Sequence, residues 1–592
     1  MLQCGIPRQR SCCWGTRSNI IRYPIWVSEA DILKGMTDAV SNQVDEQVIP
    51  EVVADILTAR GMTPEQMGVF LYPDYERDLH DPMLMSDMGL AVERIMAGAG
   101  RKERVVIYGD YDIDGITASA VLMEGLAPLG LEISSYIPDR FEEGYGINQA
   151  ALERLQLEGA QLVISVDCGI TSASEARWAR EHGLDLILTD HHAVPEELPE
   201  AIAVIDPKRP GDLYPFKELA GVGVAFKLVQ ALQRAGGVPE AGQEKWLLDL
   251  VAMGTICDVV PLVGENRALA SYGLKVLRRT RRSGLRALAR VGGVEIGRVS
   301  AHEVGYVLGP RMNAAGRLEH AARSLELVMS DDPDRAREIA GELEELNRQR
   351  RADQAAILAM ADVMAAEYQD DPVLVLAHPD WSHGVVGIVA SKLAEKWQRP
   401  VLLAQVIDDK VKGSARSVPG YNMVEALRSQ APLLSRFGGH YFAAGYTIDA
   451  AKLDELRRGL NDYYLETMPV GAVDDELTIP DIALGNLARV DEAWLEQLAV
   501  LEPYGNSNPR PVVGLTGLVV TAVRRVGTDS QHLSVKMRDG EGNSLGAIGF
   551  GMAQGYPELH EGQIVTVTGS LNTNEFQGKT SVQLVLLNII HE

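Results

Sequence analysis

Short apolar runs that each end in an acid or an imidazole constrain this chain more than any other feature. The first, in VVIYGDYDIDGITAS, leads to Asp110, Asp112 and Asp114. LVISVDCGI follows with Asp167, LILTDHH with Asp190, His191 and His192, and GTICDVVPL with Asp258. Three of these runs are short and rich in β-branched residues, the texture of buried parallel strands. In an open α/β sheet ligands gather beyond the carboxyl ends of the strands, where these acids and imidazoles are then expected. So many carboxylates in one place repel one another unless a cation neutralises them. The simplest expectation is a two-metal hydrolase site.

A chain of 592 residues is too long for one core, and several domains are expected. From about residue 45 to 330 strand and helix alternate, as in a doubly wound sheet, with helices predicted over Ile116–Pro128 and Ala150–Leu157. The run GPRMNAAGRL, Gly309 to Leu318, reads as a loop entering or leaving a helix. Residues 331–369 read as a long connector helix started by Pro333 after Asp331 and Asp332. A second α/β unit over 370–468 carries VLVLA and PVLLAQV as strands around a helix from Val385 to Lys396. From 469 to 592 the texture becomes short strands and turns, which suggests a small antiparallel barrel of OB type. The fold class expected is thus multidomain α/β with a terminal barrel.

Residues 1–44 read as an N-terminal extension, partly disordered. Its first 22 residues hold Arg8, Arg10, Arg17 and Arg22 without an apolar stretch, which argues against a secretory signal. No uninterrupted apolar segment approaches the ~20 residues that span a bilayer, so no membrane association is expected. Cys4, Cys12 and Cys13 lie in the extension, and five cysteines without a pairing pattern suggest a reducing, cytoplasmic compartment. Cys168 and Cys257 read as small buried packing residues rather than nucleophiles.

The formal charge of −26 at first speaks against a nucleic-acid partner. Local clusters matter more for a groove that threads a single strand. Arg278, Arg279, Arg281, Arg282, Arg286 and Arg290 form one basic segment, and Arg348, Arg350 and Arg351 another. Each also reads as a solvated helix face.

Aspartate oxygens with one or two imidazoles suit Mn2+ or Mg2+, and Zn2+ less well without thiolates. Two such ions about 3.5–4 Å apart activate water and stabilise the leaving oxygen of a phosphoester. Asp112 and Asp114 fit a turn that presents two carboxylates to neighbouring ions. Asp110 is either a third ligand or an acceptor of backbone amide bonds. His192 is either a ligand or a donor to phosphate, and the second reading is preferred.

In this order DYDIDG, VDCGI, DHH and DVVPL resemble the successive motifs of the DHH phosphoesterase superfamily. SHGVVGIVASKL, GSARSV and GGHYFAAG resemble its DHHA1 companion domain. With GPRMNAAGR, PYGNSNPRP and a terminal barrel, the chain is most similar to the superfamily's single-strand-specific 5′→3′ DNA exonucleases, from about Arg60 to the C-terminus. The resemblance implies that Asp110, Asp112 and Asp167 hold one metal and that Asp114, Asp167, His191 and Asp258 hold the other, bridged by Asp167. It places Arg311 and Arg317 near the 5′ end of the strand, where a guanidinium clamps a phosphate. In the second unit, Ser414, Arg416 and Ser417 offer a charged donor between hydroxyls. Gly438, Gly439 and His440 allow close backbone approach to a phosphate, or else form a tight strand-to-helix turn. The barrel would bind single strand through backbone charge (Arg524, Arg525, Lys536) and stacking on Tyr504, Phe550 or Phe576, if these are not core. The implied function is hydrolysis of single-stranded DNA to mononucleotides in recombination and repair. The expected enzyme is a monomer that works beside a single-strand-binding protein and a helicase. Two alternatives stay open: a phosphoesterase for oligonucleotides of a few residues or cyclic dinucleotides, and a non-catalytic DNA-binding scaffold.

Overall fold

The alternation of strand and helix closes into a five-stranded sheet in the order β2-β1-β3-β4-β5. Its strands are β1 (Arg104–Gly109), β2 (Glu132–Tyr136), β3 (Leu162–Val166), β4 (Asp185–Thr189) and β5 (Ala203–Ile205). Every neighbouring pair is parallel, and β3 is buried along its whole length. This order reverses direction between β1 and β3, which opens a crevice at their carboxyl ends. The computed structural model describes residues 49–140, 142–144, 146–468, 479–576 and 579–591. The extension expected over residues 1–44 lies outside them.

Among the helices of the first unit are α1 (Ile113–Leu126), α2 (Gly221–Gly236), α3 (Leu248–Cys257), α4 (Gly264–Leu277) and α5 (Gly309–Leu318). Asp112 starts α1 by accepting the amides of Asp114 and Gly115. The segment Gly309–Leu318, expected as a loop, is helical. Pro310 stands in its first turn, where a missing N–H costs nothing, and a π-helical turn over Val304–Leu308 leads into it. Gly316 marks close packing rather than a turn, since a Cβ there would lie 2.6 Å from the Tyr111 carbonyl.

The connector is a single helix, α6 (Pro333–Ala365), capped by the Asp332 side chain. It belongs to two cores. Ala336, Ile339, Ala340 and Leu343 pack with the first sheet, whereas Ile357, Ala361 and Ala365 pack with the second. That second sheet has the order β6-β7-β8-β10-β9, built from β6 (Leu374–His378), β7 (Val401–Ile407), β8 (Lys410–Arg416), β9 (Leu434–Gly439) and β10 (Ala443–Asp449). Helix α7 (His383–Trp397) crosses between β6 and β7.

The last module is a barrel. β11 (Ile482–Leu484) lies beside β12 (Val513–Val526), followed by β13 (His532–Arg538), β14 (Ser544–Gly549), β15 (Ile564–Phe576) and β16 (Lys579–His591). Pairing of β12 with β15 closes the circuit β12-β13-β14-β16-β15. Helices Glu51–Ala59 and Pro64–Leu71 bury Val53, Ile56, Leu57 and Phe70 in the barrel's core, although chain order groups them with the first sheet. Tyr504 is partly buried against that core, Phe550 is exposed, and the side chain of Phe576 lies outside the described residues.

One buried guanidinium ties the barrel to the first unit. Arg267, on α4, is 1% exposed. It donates to the carbonyls of Phe70 (2.6 Å), Leu501 (3.1 Å), Glu502 (2.9 Å) and Pro503 (3.2 Å). Its Cζ also lies 3.8 Å above the Phe70 ring. Burial lowers its pKa to about 10, which leaves it charged at neutral pH. Arg267→Ala strands these carbonyls in an apolar setting and should destabilise the protein by about 3 kcal/mol. Denaturant titration checks this, and an unchanged midpoint would show that the carbonyls find other partners.

Candidate metal centre and phosphate cleft

The crevice between β1 and β3 collects the acids. Asp110 leaves the end of β1, Asp112 caps α1, Asp114 lies in the first turn of α1, and Asp167 leaves β3 at φ +60°. Asp258 arrives differently. Its apolar run is the helix α3, which ends at that acid, so the carboxylate enters from the helical layer rather than from a strand end. An unbroken buried run reads the same in a helix and in a strand, and this one lies between helices.

Three groups of ligand atoms lie within 4.8 Å of one another: Asp110–Asp112–Asp167, Asp114–His191–Asp258, and Asp167–His191–His192. His191 Nε2 stands 3.2 Å from Asp167 Oδ1, 3.6 Å from Asp258 Oδ2 and 3.9 Å from Asp114 Oδ2. Asp114 is fully buried, and its two oxygens also accept the amides of Gly221 (2.7 Å) and Val222 (2.9 Å) at the start of α2. A helix N-terminus is the natural seat for such an anion. Gly221 had not been singled out from the sequence, yet a Cβ there would come within 2.7 Å of Asp167 Oδ1. The run AGVGVA was the available signal.

Burial and mutual repulsion raise the acids of this cluster. Asp110, Asp167 and Asp258 move well above the usual carboxylate range, burial being the larger cause. Asp114 rises to about 7, by burial and by the charge of Asp112. His191 falls to about 3, mainly by burial, and is therefore a neutral imidazole at pH 7. Asp110 Oδ1, Asp258 Oδ2 and His191 Nε2 are buried with no hydrogen-bond partner. A neutral ring facing unbonded carboxylate oxygens is a donor set that fits a hard divalent cation.

Asp190 does a different job from its neighbours. Its carboxylate accepts the amides of Ile170 (2.8 Å) and His191 (2.7 Å) and pairs with His192 Nδ1 at 2.7 Å. Burial opposes its ionisation, but these bonds outweigh burial and hold the acid below its ordinary value. Burial likewise opposes protonation of His192, and the Asp190 bond outweighs it, raising the imidazole. With one group held down and the other up, the pair stabilises the fold fully between the ordinary carboxylate value of 3.8 and the ordinary imidazole value of 6.5. The contribution fades as pH rises through the raised His192 value, and as it falls through the lowered Asp190 value.

Across the crevice the second unit brings its own donors. Arg416 and Ser414, at the end of β8, both lean on Gly387 of α7, where a Cβ would lie 3.2 Å from Arg416 Nη2 and from Ser414 Oγ. Arg416 Nε donates to Ser391 Oγ at 3.0 Å. Ser417 turns its hydroxyl back to the Tyr421 carbonyl at 2.5 Å. Gly438 and Gly439 end β9 in a β-hairpin, not a strand-to-helix turn, because β10 returns at once and leaves no room for a Cβ on Gly439. His440 follows, its ring stacked 6.4 Å from that of His192. Arg317 donates to the Gly384 carbonyl at 3.2 Å, and burial, with Arg140 and Arg350 near, lowers its pKa to about 10. Arg311 is held by Glu344 and the Val307 carbonyl (2.5 and 2.7 Å). Arg140 was missed: it follows β2, lies 4.8 Å over the Tyr111 ring, and its charge adds to the burial that depresses Arg317, Arg416, Lys412 and His383. The strand-end rule that found the acids would have found it, but β2, EISSY, is only half apolar.

Of the two internal thiols, Cys168 is buried and Cys257 partly so, and burial pushes the pKa of each up, as suits packing residues.

Comparison with known proteins follows the same division. Residues 104–255 match the N-terminal domain of the DHH family, 370–466 the DHHA1 domain, and 483–588 the RecJ OB domain. The chain is 39% identical over 562 residues to the single-stranded-DNA-specific exonuclease RecJ of Bacillus subtilis, spanning 93% of this chain and 69% of that one. It is 35% identical to the RecJ of Dickeya dadantii, over 88% and 94% of the two chains. The chain belongs to the RecJ family. Two crystal structures of RecJ from Thermus thermophilus share its fold, each over 91% of this chain. The Mn2+ complex superposes with a TM-score of 0.75 at 31% identity over 78% of that chain, and the Mg2+ complex with 0.70 at 29% over 76%. The chain is thus a multidomain α/β RecJ-family protein with a terminal OB barrel, and among its described residues no helix is long and apolar enough to cross a membrane. Asp190→Asn should return the His192 pKa toward or below 6.5, read by NMR titration of the ring. A His192 that titrates as before would mean that Asp190 does not set its charge.

Proposed function

We propose that this chain is a 5′→3′ exonuclease that hydrolyses single-stranded DNA to mononucleotides by two-metal phosphodiester hydrolysis, in DNA recombination and repair. The observation that carries this reading is two neighbouring ligand groups, Asp110–Asp112–Asp167 and Asp114–His191–Asp258, which meet where Asp167 Oδ1 stands 3.2 Å from His191 Nε2. Asp110, Asp112 and Asp167 would hold one cation. Asp114, Asp167, His191 and Asp258 would hold the other, with Asp167 shared. Two divalent cations, Mn2+ or Mg2+, supply charge neutralisation to the scissile phosphate when bound there.

The remaining work falls to side chains of the cleft. His192, held at Nδ1 by Asp190, presents Nε2 to a phosphate oxygen as a donor. Arg317, Arg416 and Arg140 make a basic wall opposite the acids, and with the uncharged donors Ser414 and His440, whose imidazole burial holds below its ordinary value, they clamp the phosphates of the entering strand. Gly438 and Gly439 let the backbone approach. Ser417 shapes the turn behind Arg416, and Arg311 is tied to the connector helix by Glu344. The clustering of these cations against the acid site answers the objection from a net charge of −26. The strand leaving the cleft would run over the exposed Arg524, Arg525 and Lys536 of the barrel.

Asp167→Ala should abolish cleavage while leaving the circular dichroism spectrum intact. The decisive assay uses 5′- and 3′-labelled single strands beside a duplex, with Mn2+, Mg2+ or chelator. Immediate release of the label as a mononucleotide from the 5′-labelled strand, with duplex spared and chelator silencing the reaction, is the expected result. Release from the 3′ end first reverses the polarity. Cleavage of only two- to five-nucleotide fragments would instead favour a small-substrate phosphoesterase, and full activity of the Asp167 variant would remove the metal assignment.

A further inference from the structure

The residue that follows Asp258 sits in a conformation its own side chain disfavours. Val259 has φ +62°, left-handed backbone that costs most for a β-branched residue. Glycine normally takes this place at the end of a helix. The Val259 side chain is 64% exposed, so its own packing does not hold it there.

The Val259 amide donates to the Ile256 carbonyl at 3.4 Å, and a loop from the root of the barrel grips the residue from the carbonyl side. Asn506 Nδ2 donates to the Val259 carbonyl at 2.7 Å, and the Asn506 carbonyl accepts the Leu262 amide at 2.8 Å. The two bonds bracket residues 259–262. Gly505 lies so close that a Cβ would come 2.6 Å from Leu262 Cδ1. The loop is itself stiff. Gly505 and Asn508 exchange backbone bonds of 2.9 and 3.1 Å. Asn508, buried, donates to the carbonyls of Leu501 and Pro503, each at 2.8 Å, and accepts from Arg60 at 3.0 Å. Arg60 also pairs with Asp481 at 2.8 Å, next to β11, and the loop itself runs on into β12.

We infer that Asn506 is a positioning residue for the metal centre: by holding Val259 left-handed it aims the Asp258 carboxylate at His191. The inference rests on the reading of Asp258 as a ligand. Asp258 closes the last turn of α3, its amide donating to the Gly254 carbonyl at 2.8 Å, so the peptide that follows sets how that turn ends. Released, Val259 relaxes to negative φ and the acid turns with it. The fold therefore makes one cation site depend on the loop that roots the barrel, and a barrel that shifts on its root loosens that site. Barrel and metal centre are coupled through the turn that Asn506 grips.

Mn2+ binding to the full-length protein, by calorimetry and by electron paramagnetic resonance of the bound ion, tests this without reference to activity. In Asn506→Ala one of two sites should weaken by roughly 5- to 30-fold, the equivalent of the left-handed penalty. Asn506→Ser, too short to reach the Val259 carbonyl, removes the same bond with a smaller change and is read the same way. Adding Val259→Gly to either variant should recover most of the loss, because glycine takes this conformation without the clamp. Wild-type Mn2+ binding in both Asn506 variants overturns the inference. So does a loss that Val259→Gly does not repair, which would make Asn506 a merely structural residue. Asp258→Asn separates this from the underlying reading: if it keeps both ions at full affinity, the ligand assignment fails. If it loses one ion while the Asn506 variants bind normally, only the clamp fails.

Discussion

Mutual repulsion of buried carboxylates is the constraint on which the rest of this structure depends. Asp114, Asp167 and Asp258 crowd around one imidazole, with Asp110 beside Asp167, and burial together with their neighbours' charges pushes each of these acids upward. A flexible chain would let such acids drift apart. Here each is held by an element that is rigid for other reasons. Asp110 and Asp167 extend strands buried against both layers, Asp112 has one oxygen committed to capping a helix, and Asp114 is anchored to the amides that open another. Even Asp258, at a helix end, is followed by a clamped turn. Preorganised repulsion is what fits the cluster to receive dications, as a set of surface acids would not be.

The same rigidity has to extend across modules, because the cleft needs walls from two of them. Helix α6 accomplishes this for the second sheet by contributing to both cores, so the donors near Gly387 and the Gly438–Gly439 hairpin stand at a set distance from the acids. Arg267 and Asn506 do it for the barrel, one by collecting carbonyls from the Phe70 helix and the 501–503 segment and the other by gripping the turn after Asp258. A protein of strongly acidic balance thereby keeps Arg140, Arg317 and Arg416 together at the cleft.

Much of the site was legible because chemistry and secondary structure coincide there. An acid after a buried strand is visible as letters, and the DxDxD, VDCGI and DHH runs needed no coordinates. What was not legible has a common cause. Asp258 looked like its strand-borne neighbours because an apolar run carries no period once it is buried all round. Gly309–Leu318 looked like a loop because its glycines answer to tertiary contacts, not to a turn. Arg311 resembled a free phosphate ligand, and only the approach of α6 shows that Glu344 takes its guanidinium. Arg140 was passed over because its strand is too polar to announce itself.

The sequence by itself determined the donor chemistry, the order of the modules and the existence of a long helix between them, since these follow from residue type, periodicity and chain order. Tertiary structure alone decided which acids share an ion-sized space, which arginines are already spent on protein partners, and that the barrel's root holds the turn beside Asp258. The reason is physical. Periodicity reports how a segment relates to its own neighbours, whereas the charge state of Asp114 or the backbone of Val259 is set by groups about a hundred residues away or more that reach it only when the chain has folded.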